Sequence, residues 1–299
     1  MKKINFLFLV LLIALVTNAQ EKMFVVYSIK GNVSIVNNKV ETKAKIGTLL
    51  DANGAIKVGA GSFATLICNE TRMFTLSKSG SYTTTSLDDS CKENHNSVSA
   101  NYVKYIWSEF TKAHGSPEKN RKSYMANVGA VSRSINNVWI DPKLDTLNYV
   151  SGTVPLSWKS YTDAEEFEFK LYDQSNTDKP ILIKPTKKKH LDFSELLKTI
   201  QPGKTYYWSA MIKGEENEDR KYIRYWSKDE YTDFYNKIKN PEGASETEGE
   251  ANFRLGFVLE EAHFTAEAFN HYLKATQLSP DNSLYRSVFM SFKKDYEIK

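Results

Sequence analysis

Cysteine is scarce in this 299-residue sequence, with only Cys68 and Cys91 present. Two thiols permit a single intramolecular pairing. Neither sits in a CxxC pair or beside histidines at metal-ligand spacing, which argues against zinc and redox catalysis. In an oxidising compartment they are a disulfide candidate, and closing that loop stabilises by about 3 kcal/mol in the chain-entropy model. The alternative is two free thiols in a β core. Long apolar runs are equally scarce. Phe6 to Val16 is the one unbroken stretch, and it is short of the about 20 residues that a membrane span needs. Met1, Lys2 and Lys3 precede it and Thr17-Asn18-Ala19 follow it, so the expectation is a signal peptide cleaved before Gln20. No cysteine follows the run, which speaks against a lipid anchor, and no transmembrane segment is expected in the mature chain.

An excess of one charge is also lacking. The sequence carries 40 basic and 36 acidic residues; cleavage would remove two lysines and no acid, leaving the balance near zero. Nucleic acid is therefore not an expected partner. Catalytic signatures are missing as well: no GxSxG, HExxH, P-loop or dinucleotide fingerprint occurs. Ser291-Phe292-Lys293-Lys294 has SxxK spacing but no KTG partner. The five histidines, at 95, 114, 190, 263 and 271, are scattered and without a carboxylate pattern that would make a metal site.

What is present is modular. Short β runs at Val33-Ser34-Ile35, Ala55 to Val58, Phe63 to Cys68 and Met73 to Leu76 alternate with glycines. Ile29-Lys30-Gly31-Asn32-Val33-Ser34-Ile35, Ile46-Gly47-Thr48-Leu49-Leu50, Gly54-Ala55-Ile56-Lys57-Val58-Gly59, Ser62 to Leu66 and Phe74-Thr75-Leu76 together resemble the FecR-like domain. That resemblance implies a β-rich module that binds or displays. The family's transmembrane signalling helix has no counterpart after the signal peptide. Next, Val98, Tyr102, Tyr105, Ile106 and Phe110 fall on one helical face; the expectation is packing on a β module, with partner binding as the alternative. Residues 117–123 are charged and read as an exposed connection.

A second β module begins near 146. Phe167, Phe169 and Leu171 alternate with Glu168, Lys170 and Tyr172. Trp158, with Ile200, Pro202 and Tyr206, resembles the fibronectin type III or immunoglobulin-like sandwich, with Tyr206 as its tyrosine-corner residue. The segment is short for seven strands, so one is missing or borrowed from residues 138–150. Lys187-Lys188-Lys189-His190 reads as a solvated loop. Beyond 220 the period becomes helical. Asp229 to Lys239 is a helix, Ser245-Glu246-Thr247-Glu248 matches a capping box, and Leu255, Gly256, Leu259, Ala268, Tyr272, Ala275 and Pro280 resemble one tetratricopeptide repeat. Leu284 to Phe292 forms a third helix. One repeat cannot bury a continuous core, so it must pack on another domain, a second copy or a partner.

The expected fold is multidomain and β-rich, a small β module plus a β-sandwich, with a C-terminal α-helical, tetratricopeptide-like tail. The expected boundaries are 1–19 for the signal peptide, 20–95 for the FecR-like module, 96–145 for the helix and connector, 146–215 for the sandwich and 225–299 for the tail. The expected function is that of a non-enzymatic exported scaffold or adaptor in the periplasm or on the surface of a Gram-negative cell. It would hold an envelope protein or peptide through its C-terminal helices, without cofactor or metal. Asn252, Arg254, His271, Lys274 and Tyr285 are the contact candidates. A homo-oligomer stays open, as do two alternatives: a sensory ligand-binding component and a glycan hydrolase.

Overall fold

The computed structural model describes residues 24–70, 72–93, 99–111, 117–125, 137–141, 144–241 and 245–298. The expected signal peptide and its cleavage point lie outside them. The chain divides into two compact units, with the boundary between Asn94 and His95.

The first unit contains β1 (Phe24–Lys30), β2 (Val33–Asn37), β3 (Val40–Lys43), β4 (Leu49–Leu50), β5 (Ala55–Val58), β6 (Phe63–Cys68), β7 (Arg72–Leu76), β8 (Gly80–Thr83) and helix α1 (Thr84–Glu93). Two antiparallel four-stranded sheets result, ordered β4-β1-β6-β7 and β3-β2-β5-β8. Alternation makes the core: Phe24 and Val26 from β1, Val33 and Ile35 from β2, Ile56 and Val58 from β5, and Leu66 from β6 cluster together. Leu87 and Cys91 of α1 join that cluster. A disulfide links Cys68 on β6 to Cys91, with a Cα–Cα separation of 6.4 Å. Arg72 donates to the Cys91 carbonyl at 2.9 Å, so α1 is fixed both covalently and by a charged donor.

The second unit begins its β-sandwich with β9 (Val138–Trp139), β10 (Thr146–Tyr149), β11 (Pro155–Ser157), β12 (Lys159–Ser160) and β13 (Phe167–Asp173). β14 (Leu182–Thr186), β15 (His190–Asp192), β16 (Lys204–Ile212) and β17 (Lys221–Tyr225) complete it. The large sheet runs β10-β17-β16-β13-β14, with β10 parallel to β17 and its other pairings antiparallel. β11 pairs with β15 and β12 with β9. Strands β9 and β10 are thus supplied by residues 138–150. Residues 216–224, assigned to neither module from sequence, hold most of β17. Trp208 is wholly buried and stacks on Phe169 at 5.5 Å, and Trp158 meets Phe167 edge-on at 6.1 Å. The Tyr206 hydroxyl accepts the Gln201 N–H at 2.9 Å, closing the turn that carries Pro202 and Gly203.

Helices fill the rest of this unit: α2 (Ala100–Thr111), α3 (Pro117–Met125), α4 (Lys228–Lys239), α5 (Glu248–Glu261), α6 (Thr265–Leu278) and α7 (Ser283–Asp295). Three expectations require correction. The first concerns α5, whose capping box uses Thr247 and Glu250, two residues beyond Ser245 and Glu248. The second concerns residues 117–123, which lie in a helix instead of an exposed connection. Arg121 on that helix is 1 % exposed and forms ion pairs with Glu260 and Asp295. The third is the apolar stripe of α2, which packs on helices rather than on a β module. Tyr102 and Tyr105 meet Phe257 of α5 at 5.5 and 5.1 Å.

The lone helix pair is therefore completed by its own chain. Helices α5 and α6 fold back on each other, and Gly256 permits their close approach: a Cβ there would lie 2.7 Å from the Tyr272 ring. Helices α2, α3 and α7 cover the pair. The fold is multidomain and β-rich with a helical tail. Among the described residues no helix is long and apolar enough to cross a membrane.

Candidate functional site

The five sequence-derived contact candidates lie on the helices, and most of their polar groups are engaged within the chain. Arg254 is 1 % exposed. Its Nε donates to both Glu246 oxygens at 2.9 Å, and its other nitrogens cap the Ile238 and Lys239 carbonyls at the end of α4. Asn252, also buried, donates to the Glu248 carbonyl and lies 2.9 Å from His271 Nδ1 through its own oxygen. His271 stacks on Tyr235, and burial, with Lys274 and Arg254 nearby, pulls its pKa down to about 4. Tyr285 is buried against Phe253 with ring centroids 4.3 Å apart. Lys274 is half-exposed and pairs with Glu248 at 2.6 Å. Asn252, His271 and Lys274 share the α5–α6 seam, Arg254 joins α4 to α5, and Tyr285 joins α5 to α7. The set stitches helices together.

A different place is open. Register Pro155↔Asp192, Leu156↔Leu191 and Ser157↔His190 sends Leu156 and Leu191 into the sandwich core. The alternate residues Pro155, His190 and Asp192 then face the other way. Opposite them stand Ala266, Phe269 and Asn270, three or four residues apart on one face of α6. Glu297 and Ile298 after α7 close the side. With Gly152 and Thr153 these residues line a cleft of about 710 Å³, within the size range of small-ligand and side-chain sites. A smaller recess of about 170 Å³ adjoins it, lined in part by Trp139, Lys159 and Lys294, and shares Glu297.

The cleft walls are held by hydrogen bonds between sandwich and helices. Asn148 of β10 donates from its amide nitrogens to the His263 and Ala262 carbonyls at 3.0 and 2.8 Å, and its side-chain oxygen accepts from the Trp226 indole at 2.9 Å. The Ser151 N–H donates to Glu267 Oε1 at 2.9 Å, while the buried Oε2 has no hydrogen-bond partner among the described residues. Burial pushes the Glu267 carboxyl up to about 7, held back in part by the Ser151 amide. Gly152, at φ +93°, passes so close to α6 that a Cβ would sit 3.3 Å from that of Ala266. At the other wall, Ile298 N–H bonds to the Lys293 carbonyl and Glu297 N–H to that of Lys294. This is a Schellman turn with glutamate, at φ 55°, in the position glycine usually fills.

Among the described residues the lining carries Asp192, Glu297 and His190 and no lysine or arginine. Among the described residues, the side chains of Thr153, His190, Asn270 and Glu297 make no hydrogen bond or ion pair within the chain. A ligand entering here therefore meets acceptors and donors that need not first release an internal partner. No set of three or more His, Cys, Asp or Glu side chains among the described residues could hold a metal ion. Sequence reasoning missed the cleft because it draws on stretches near 152–155, 190–192, 266–270 and 297–298. No local motif joins them. Neither protein-family models nor curated proteins provide a match to this chain.

Proposed function

We propose that the chain is an exported, non-enzymatic scaffold that holds a protein or peptide segment in the cleft between the β-sandwich and helix α6. In this reading the first unit is a FecR-like display module, the sandwich is of fibronectin type III or immunoglobulin-like kind, and α5–α6 is a single tetratricopeptide-like repeat. The cell envelope is its place of work. The observation that carries the proposal is a cleft with an apolar floor of Pro155, Ala266 and Phe269, rimmed by Thr153, His190, Asn270 and Glu297, whose side chains have no partner among the described residues. Peptide sites combine these features, because apolar pockets bind side chains while free polar groups fix orientation.

The test is affinity capture from envelope extract with the purified mature chain and an Asn270→Lys variant. Asn270 is exposed, so the substitution adds bulk and charge at the cleft mouth without disturbing the core. Stable co-purification of one partner with the wild type and its loss with the variant supports the reading. Turnover of peptidoglycan or polysaccharide by the purified protein overturns it.

A further inference from the structure

We infer that the cleft selects a basic side chain, lysine or arginine, presented by an extended peptide beside an apolar residue; the inference rests on the peptide-binding reading above. The first argument is charge. The mature chain is near charge balance, yet among the described residues the cleft lining bears two carboxylates, Asp192 and Glu297, and no lysine or arginine. An acidic lining favours a cationic ligand and penalises an anionic one.

The second argument is the state of those groups. Glu297 makes no ion pair within the described residues, although Lys293 and Lys294 are its near neighbours in sequence. The chain reverses at Glu297, which lines both the cleft and the adjoining recess where Lys294 also stands. A left-handed conformation is unfavourable for a residue with a Cβ, and such strain is concentrated at working sites.

The third argument is the match of shapes. The aliphatic stem of a lysine or arginine can lie along Phe269 and Ile298 while its head reaches a carboxylate. Asn270 and Thr153 supply a donor and acceptor pair suited to the peptide backbone. Neutral saccharides would use the amide and hydroxyl groups but gain little from two carboxylates that form no ion pair among the described residues.

The experiment uses the full mature chain and fluorescein-labelled capped peptides, acetyl-Gly-Leu-Lys-Leu-Gly-amide and its variants with norleucine or glutamate at the centre, read by anisotropy. Unlabelled chitotetraose serves as competitor. The lysine peptide is expected to bind about tenfold more tightly than the norleucine peptide, and the glutamate peptide more weakly still. Glu297→Gln and Asp192→Asn should each erase most of the lysine preference, bringing the lysine peptide down to the affinity of the norleucine peptide for the same variant, a readout that misfolding would not produce. Equal binding of lysine and norleucine peptides, both abolished by Asn270→Lys, overturns the inference and leaves the peptide reading standing. Absence of binding by all three peptides, or their complete displacement by chitotetraose, overturns both.

Discussion

Glu267 offers the sharpest test of how the helical tail is held to the sandwich. Its carboxyl lies at the start of α6, accepts the Ser151 N–H at 2.9 Å and leaves Oε2 buried without a partner. Tyr149, which is buried, and Tyr231, which is partly buried, are titratable groups beside it. Burial raises its pKa from 4.5 to about 7. At about 1.36 kcal/mol per pH unit, the separation of those two values corresponds to about 3 kcal/mol. The folded value lies above the unfolded one, so between pH 4.5 and 7 the folded chain keeps a proton that the unfolded chain has lost. Stability conferred by this group is therefore complete below pH 4.5, declines as pH rises and is gone above about 7. Glu267→Gln keeps an acceptor for Ser151 but cannot ionise. Urea titrations followed by tryptophan fluorescence, at intervals from pH 4.5 to 8, should show wild type losing about 3 kcal/mol relative to the variant. All other carboxyls are common to both proteins and cancel in the difference. A difference curve that stays level across that range, or rises with pH, refutes the reasoning.

Arg121→Ala should destabilise the second unit by about 3–5 kcal/mol, because Glu260 and Asp295 are left buried and unpaired; thermal denaturation of the variant measures it, and a drop under 1 kcal/mol contradicts the role. Replacing Cys68 and Cys91 by serine should weaken the first unit by about 3 kcal/mol, seen as a lower denaturant midpoint for that unit, with added reductant reproducing it in the wild type. Gly256→Ala should lower stability by about 1–3 kcal/mol through collision with the Tyr272 ring, despite the better helix propensity of alanine. Glu297→Gly should act oppositely on two measurements: a gain of about 1 kcal/mol in stability, from relief of the left-handed glutamate, and loss of the lysine-peptide preference.

The β elements were readable where period-two patterning met glycine punctuation, so β6 occupies the run from Phe63 to Cys68 seen in the sequence. Helix registers were less so. Thr247-Glu248-Gly249-Glu250 repeats the capping pattern of Ser245 to Glu248 two residues later, and the choice falls to Arg254, whose grip on Glu246 holds that residue ahead of the helix. Helix α3 escaped notice because its buried side is organised around an arginine, which no apolar periodicity reveals. Of the five contact candidates, Lys274 alone is exposed by about half; the others satisfied packing that local pattern cannot distinguish from a binding face. The cleft itself depends on which face of a three-residue strand turns outward, a property fixed only when β11 and β15 pair.

The helices from residues 100–125 find their partners very late in the chain. Arg121 lies 139 positions before Glu260 and 174 before Asp295, and Ser99 lies 162 before Glu261. During synthesis the aromatic side of α2 must wait, uncovered, while the whole sandwich emerges between it and the residues that shelter it. Long-range closure of this kind slows folding and prolongs exposure of sticky surface. The first unit can settle early; the second is completed only by its last helix, and a chain that stops short of α7 leaves Arg121 with Glu260 but without its second carboxylate, Asp295.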